Sequence, residues 1–119
     1  MKNNKRRKPY KLERISSEVE KIIQEVVAYE INDKRVSGNA TVTGIQLSPD
    51  FSYCKVYVEI PSDIKKEVLE GLKSASGYIR HAISDSLEMR KIPELNFIYD
   101  DTKEKAARIE ELLADIKKT

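Results

Sequence analysis

The chain has no tryptophan, one cysteine, one histidine, four glycines and four prolines in 119 residues. The lone Cys54 cannot close an internal disulfide, and its alternating surroundings fit a small buried thiol in a protein of the reducing cytoplasm. His81 has no sequence neighbour that makes it a base and no companions for a zinc site. The glycines lie far apart, so there is no Gly-rich loop of the kind that cradles nucleotide phosphates. Long apolar runs are missing as well. Between Asn3 and Tyr29 no continuous apolar segment of about seven residues follows the basic start, which argues against secretion and membrane insertion.

What the sequence does have is unevenly placed charge. Lys2, Lys5, Arg6, Arg7, Lys8, Lys11 and Arg14 stand against Glu13 alone in residues 1–14, giving +6 there and leaving −4 for the rest of a chain whose net charge is +2. Such a polarity implies a polyanionic partner, although a basic tail can also serve solubility alone.

Residues 1–9 show no apolar periodicity and read as a mobile basic arm, with residues 10–119 as a single domain. From Leu12 to Ile31 apolar residues recur at spacings of three and four, the pattern of a long amphipathic helix. Two strands follow, 40–47 and 52–60, joined through Ser48-Pro49-Asp50-Phe51 as an antiparallel hairpin. In the second, Cys54, Val56, Val58 and Ile60 should face the core while Tyr53, Lys55 and Tyr57 face water. Ser62 reads as the N-cap of a second helix carrying Val68 and Leu72. Ser74-Ala75-Ser76-Gly77 then reads as a kink before a third helix carrying Ile79 and Ile83. Leu95, Phe97 and Tyr99 alternate as a third strand, and 102–118 forms a last amphipathic helix. The result is an α+β domain, a single sheet covered by helices.

Candidate chemistry is sparse. A Cys54–His81 nucleophile pair would need a thiol that is not buried in a strand. Asp100, Asp101 and Glu104 could hold Mg²⁺ for a nuclease, but acid before a helix is favoured by the helix dipole without any metal. No catalytic residue, metal or cofactor is assigned. Gly77 is the residue through which the kink could take a positive φ or let another backbone approach, with the amides of the following helix free to face a phosphate. Lys73, Arg80, Arg90 and Lys91 lie beside that segment, and Tyr53 and Tyr57 could stack on bases or simply pack across strands.

Together these segments resemble the bacterial ribosome-binding factor A family from about Arg14 to Thr102. The match runs through Glu30-Ile31, Asp33, Arg35, Leu47-Ser48, Asp50 and Lys55-Val56-Tyr57-Val58. It continues through Ala75-Ser76-Gly77-Tyr78-Ile79-Arg80, similar to the family's Ala-x-Gly kink, and Ile92-Pro93-Glu94-Leu95-Asn96-Phe97 with Asp100-Asp101-Thr102. Lys34 departs from the pattern, since the family often has proline there, which bears on the shape of that loop. The resemblance implies a type II KH-like fold, helix-strand-strand-helix-kink-helix-strand, with an added C-terminal helix. It also implies a non-catalytic factor that binds the free or immature small subunit, near the 5′ end of its rRNA, and assists late maturation and growth in the cold. Partners would be that subunit, its rRNA and other assembly factors, GTPases among them, with the protein a cytoplasmic monomer. Contacts to RNA are expected from Lys5, Arg6, Arg7, Lys8, Lys11, Arg14, Lys73, Ser76, Gly77, Arg80, Arg90 and Lys91. Two other readings compete: a protein-binding adaptor docking through the C-terminal helix, and an rRNA nuclease using Asp100 and Asp101.

Overall fold

The computed structural model describes residues 11–117 in full and traces the backbone of residues 2–118. The elements are α1 (Lys2–Tyr29), β1 (Thr41–Leu47), β2 (Tyr53–Glu59), a 3-10 turn (Ser62–Ile64), α2 (Lys65–Ser86), β3 (Glu94–Tyr99) and α3 (Thr102–Lys118). This is the α+β order of a type II KH-like domain with an extra C-terminal helix. The expected basic arm, residues 1–9, lies outside the fully described residues.

β2 is the middle strand, antiparallel to β1 and parallel to β3. Its alternation buries Cys54, Val56 and Val58 completely and leaves Tyr53 62% exposed. β1 has a phase problem, because Ile45 and Leu47 are two residues apart but Val42 precedes Ile45 by three. An unbroken strand would turn Val42 to water. A register shift between Val42 and Gly44 inserts Thr43 as the extra residue, and Val42 goes inward.

α1 and α2 cover the inner face of the sheet, α1 through Val19, Ile23, Val26 and Val27 and α2 through Val68, Leu72, Ile79 and Ile83. Here two expectations are corrected. The stretch Ala75, Ser76, Gly77 does not divide two helices, since α2 runs unbroken for 22 residues. Burying each of Leu72, Ile79 and Ile83 contributes roughly 1.5–3 kcal/mol, whereas a helical glycine costs about 1 kcal/mol relative to alanine. Packing therefore carries the helix through the polar stretch. Gly77 has neither the positive φ nor the close neighbour expected of it: the positive-φ glycine is Gly38, and a Cβ on Gly77 would meet nothing within 4 Å. The amides after Gly77 are accordingly inside a helix. Secondly, Ser62 is not the N-cap of α2. It opens the 3-10 turn behind Pro61, and α2 begins at Lys65 without a side-chain cap.

α3 follows its expected bounds but leaves the body. Ile109, Leu112 and Leu113 are each more than half exposed. The contacts that tie its first turn to the sheet are polar. Asp100 accepts the Thr102 amide at 3.0 Å and the Thr102 hydroxyl. Lys103 pairs with Glu59 at 2.9 Å, and the Tyr99 hydroxyl donates to Glu104.

Candidate nucleic-acid interface

α2 runs beside the edge strand β3, and a groove of about 340 Å³ opens between them. Lys66, Leu69, Glu70 and Lys73 fall on one face of α2 because residues three and four apart are neighbours on a helix. Opposite stand Leu95, Asn96 and Phe97 of β3. The floor is apolar and half-buried, formed by Leu69, Leu95 and Phe97. Lys66 and Lys73 are exposed on the rim. An edge strand also offers backbone N–H and C=O groups that no neighbouring strand takes. Flat apolar surface for base planes, backbone groups for base edges and cations for phosphates are the three parts a single-stranded RNA site needs.

Of the residues expected to touch RNA, Lys73 lies in this groove, together with Lys66, Leu69 and Asn96, which sequence reading did not single out. The signal for Lys66 was its spacing of seven from Lys73. Arg80 is placed differently. Its half-buried guanidinium donates from Nε to the Pro93 carbonyl and from Nη2 to the Ile92 carbonyl, both at 3.0 Å, so it clasps the connection that feeds β3. Ser76 donates its hydroxyl to the Lys73 carbonyl at 2.7 Å, a bond within α2. Gly77 is exposed, as is Arg90. Lys91 is exposed too and donates to the Ser52 hydroxyl at 3.1 Å. Lys11 and Arg14 are exposed on α1, and the side chains of Lys5, Arg6, Arg7 and Lys8 lie outside the described residues.

Several motif residues hold loops together. Arg35 donates to Asp33 from Nη2 at 2.7 Å and from Nε at 3.0 Å, while its own amide bonds Asp33 Oδ1 at 2.9 Å. The guanidinium hydrogen bonds hold the Asp33 carboxyl below its ordinary range. This loop inserts the fully buried Val36 against Gly71 of α2, where a Cβ would stand 2.7 Å from Val36 Cγ2. Lys34, the departure from the family pattern, is exposed beside that ion pair. In the β1–β2 turn Asp50 accepts the hydroxyls of Ser52 and Ser48 and the Ser52 amide, which lowers its pKa to about 2. Tyr78 donates to Glu30 at 2.7 Å, tying α2 to the end of α1.

The candidate catalytic groups do not converge. Asp100 binds Thr43 at 2.6 Å as well as Thr102, and these bonds hold its carboxyl below the usual range, as for a capping residue. Among the described residues no three His, Cys, Asp or Glu side chains are grouped to hold a metal. Cys54 is buried, which pushes its thiol up to about 11, while His81 is exposed and lies 3.3 Å from Asp85. No described helix is long and apolar enough to cross a membrane.

Comparison with known proteins gives the geometry a family. The model of the family "Ribosome-binding factor A" matches residues 11–113. Ribosome-binding factor A of Caldanaerobacter subterraneus subsp. tengcongensis is 40% identical over 115 residues, covering 95% of this chain and 94% of the relative. The crystal structure of ribosome-binding factor A from Thermus thermophilus matches with a TM-score of 0.65 at 26% identity, covering 72% of this chain and 92% of the other. A Thermus thermophilus ribosome binding factor A homology model, fitted into a cryo-EM map of a 30S complex, matches with a TM-score of 0.61 at 24% identity. That alignment covers 74% of this chain and 93% of the other and is a likeness of fold alone. Matched over almost its whole length in sequence and over most of it in fold, the chain belongs to the ribosome-binding factor A family.

Proposed function

We propose that this protein is a ribosome assembly factor that binds rRNA of the free or immature 30S subunit and catalyses no reaction. In this reading it assists late maturation and 5′-end processing of 16S rRNA, and growth in the cold, as a cytoplasmic monomer that meets other assembly factors, GTPases among them, on the particle. The groove between α2 and β3 carries the reading. Its apolar floor, edge-strand backbone and paired Lys66 and Lys73 suit an unpaired rRNA segment. The arm, through Lys5, Arg6, Arg7 and Lys8 and onward to Lys11 and Arg14, adds cations for phosphates, and Arg90 and Lys91 extend the basic rim. Sedimentation of tagged protein with ribosomal particles tests this: it should travel with free small subunits and leave mature ribosomes empty. Lys66→Glu with Lys73→Glu should weaken that association and flatten its dependence on salt, by about 0.7 in log–log slope for each phosphate no longer neutralised. An unchanged slope removes the groove from the interface.

One observation favours a second reading. The exposed Ile109, Leu112 and Leu113 of α3 give an apolar stripe suited to docking a protein. Truncation after Asp101 separates the two, because association with small subunits that persists without α3 leaves the stripe no part in it.

A further inference from the structure

The outer face of the sheet, turned away from α1 and α2, is uncovered among the described residues. Along its central strand stand Tyr53, Lys55 and Tyr57. Lys55 is flanked by Gln46 on β1 and Asn96 on β3, and Tyr57 by Gly44 and Ile98. Gly44 brings no side chain to that row, and nothing lies within 4 Å of where its Cβ would be, so one flank of the Tyr57 ring stays open. Tyr53, Lys55, Tyr57, Gln46 and Asn96 form no side-chain hydrogen bond or ion pair among the described residues. The neighbouring carboxylates are occupied instead: Glu59 by Lys103, Asp100 by Thr43 and Thr102. The two rings, the cation between them and the flanking amides are thus left available to a ligand.

We infer that this face is a second RNA-binding surface, on which a short unpaired strand stacks bases on Tyr53 and Tyr57 while a phosphate between them meets Lys55. The rings are four residues apart on one strand, about 13 Å, a span that a few extended nucleotides bridge. Aromatic side chains on an open sheet are a general solution for unpaired bases, since every base has a π-face. The amides of Gln46 and Asn96 can donate to and accept from base edges on either side. A protein partner fits less well, because most of the face is polar and Ile98 is its one aliphatic side chain of size. Glu94 stands opposite Tyr53 and is the one unfavourable charge in the row. The tyrosine row shares Asn96 with the α2–β3 groove, is otherwise made of different residues, and adds a second surface to the rRNA binding proposed above.

The test uses the full chain and the oligonucleotide hexauridylate. Saturating amounts should shift the NMR resonances of Tyr53, Lys55 and Tyr57. Tyr53→Ala and Tyr57→Ala should each weaken binding about tenfold, Tyr57→Phe should retain it, and Glu94→Gln should tighten it. The Lys66→Glu, Lys73→Glu variant should keep the outer-face shifts. A Tyr53→Ala, Tyr57→Ala protein that is folded and binds as tightly as the parent overturns the inference, as do silent tyrosine resonances at saturation. So does concentration-dependent self-association that this double variant abolishes, with no response to nucleotide, because that result assigns the face to protein. Small-subunit sedimentation runs alongside. A parent that sediments with subunits while its tyrosines stay silent refutes the platform alone, whereas a parent that never joins the particle refutes the ribosomal reading.

Discussion

Gly71 and Gly77 lie on the same helix, six residues apart, and face opposite demands. Gly77 belongs to the conspicuous Ser-Ala-Ser-Gly stretch, yet it is exposed, has no positive φ and would accept a Cβ into open space. Gly71 sits inside an ordinary helical pattern but is buried under Val36, with Arg35 Cβ 3.3 Å from where its own Cβ would be. The loop after α1 can approach α2 this closely because one residue there has no side chain. A glycine's importance is set by what crosses over it, and here the crossing element lies more than thirty residues away in sequence.

Gly71→Val should break that comparison most visibly. The branched side chain enters space held by the fully buried Val36, and overpacking of this kind costs about 1–3 kcal/mol, read as a lower denaturant midpoint at unchanged slope. A parental midpoint would mean that the loop yields and the two glycines are equivalent. Arg80→Ala tests the helix beyond Gly77. Loss of its two donors to Ile92 and Pro93 should cost about 1–2 kcal/mol, since hydrogen bonds from a charged donor are worth more than neutral ones but this side chain is partly solvated. Small-subunit binding by the folded protein should persist, and its loss at unchanged stability would return Arg80 to the RNA surface. Gly77→Ala carries the opposite sign: removing a flexible residue from an open helical position should stabilise by about 0.5–1 kcal/mol. A fall in thermal midpoint would restore a special backbone at Gly77. The smallest effect lies outside α2. The Asp50 carboxyl, held at about 2 by the Ser52 and Ser48 hydrogen bonds, is depressed from 3.8. Its contribution is therefore complete above pH 4 and lost as pH falls toward 2. Asp50→Asn should flatten stability over that window, and acid titration of both proteins by circular dichroism checks it.

The β2 alternation is legible in sequence because a strand with one buried face repeats every two residues, and Cys54, Val56 and Val58 obey it. α3 is legible for the same kind of reason, its bounds marked by Asp100-Asp101 and a sustained helical period. Whether its stripe is covered is not a property of the stripe, and in the structure it stays exposed. The bulge at Thr43 was present as a three-residue gap between Val42 and Ile45. The gap becomes meaningful only once both residues are known to face inward. The apparent kink shows local propensity giving way to packing, since Leu72, Ile79 and Ile83 hold one face on both sides of Gly77. The α2–β3 groove was half legible. Lys73 stands out by charge, but Lys66, Leu69 and Asn96 become a site only through parallel pairing of β2 with β3.

The burial of Cys54 gives the molecule a built-in clock. It is the chain's one thiol, it sits in the middle strand with no exposed surface, and burial holds it protonated at neutral pH. Peroxide and disulfide exchange act on thiolates within reach, so ordinary breathing of turns and helix ends leaves this sulfur untouched. Modification in native buffer then advances only when the central strand comes free of its helices, and its rate counts openings of the whole core. The chain thus keeps its only cysteine shielded for as long as β2 stays packed beneath α1 and α2.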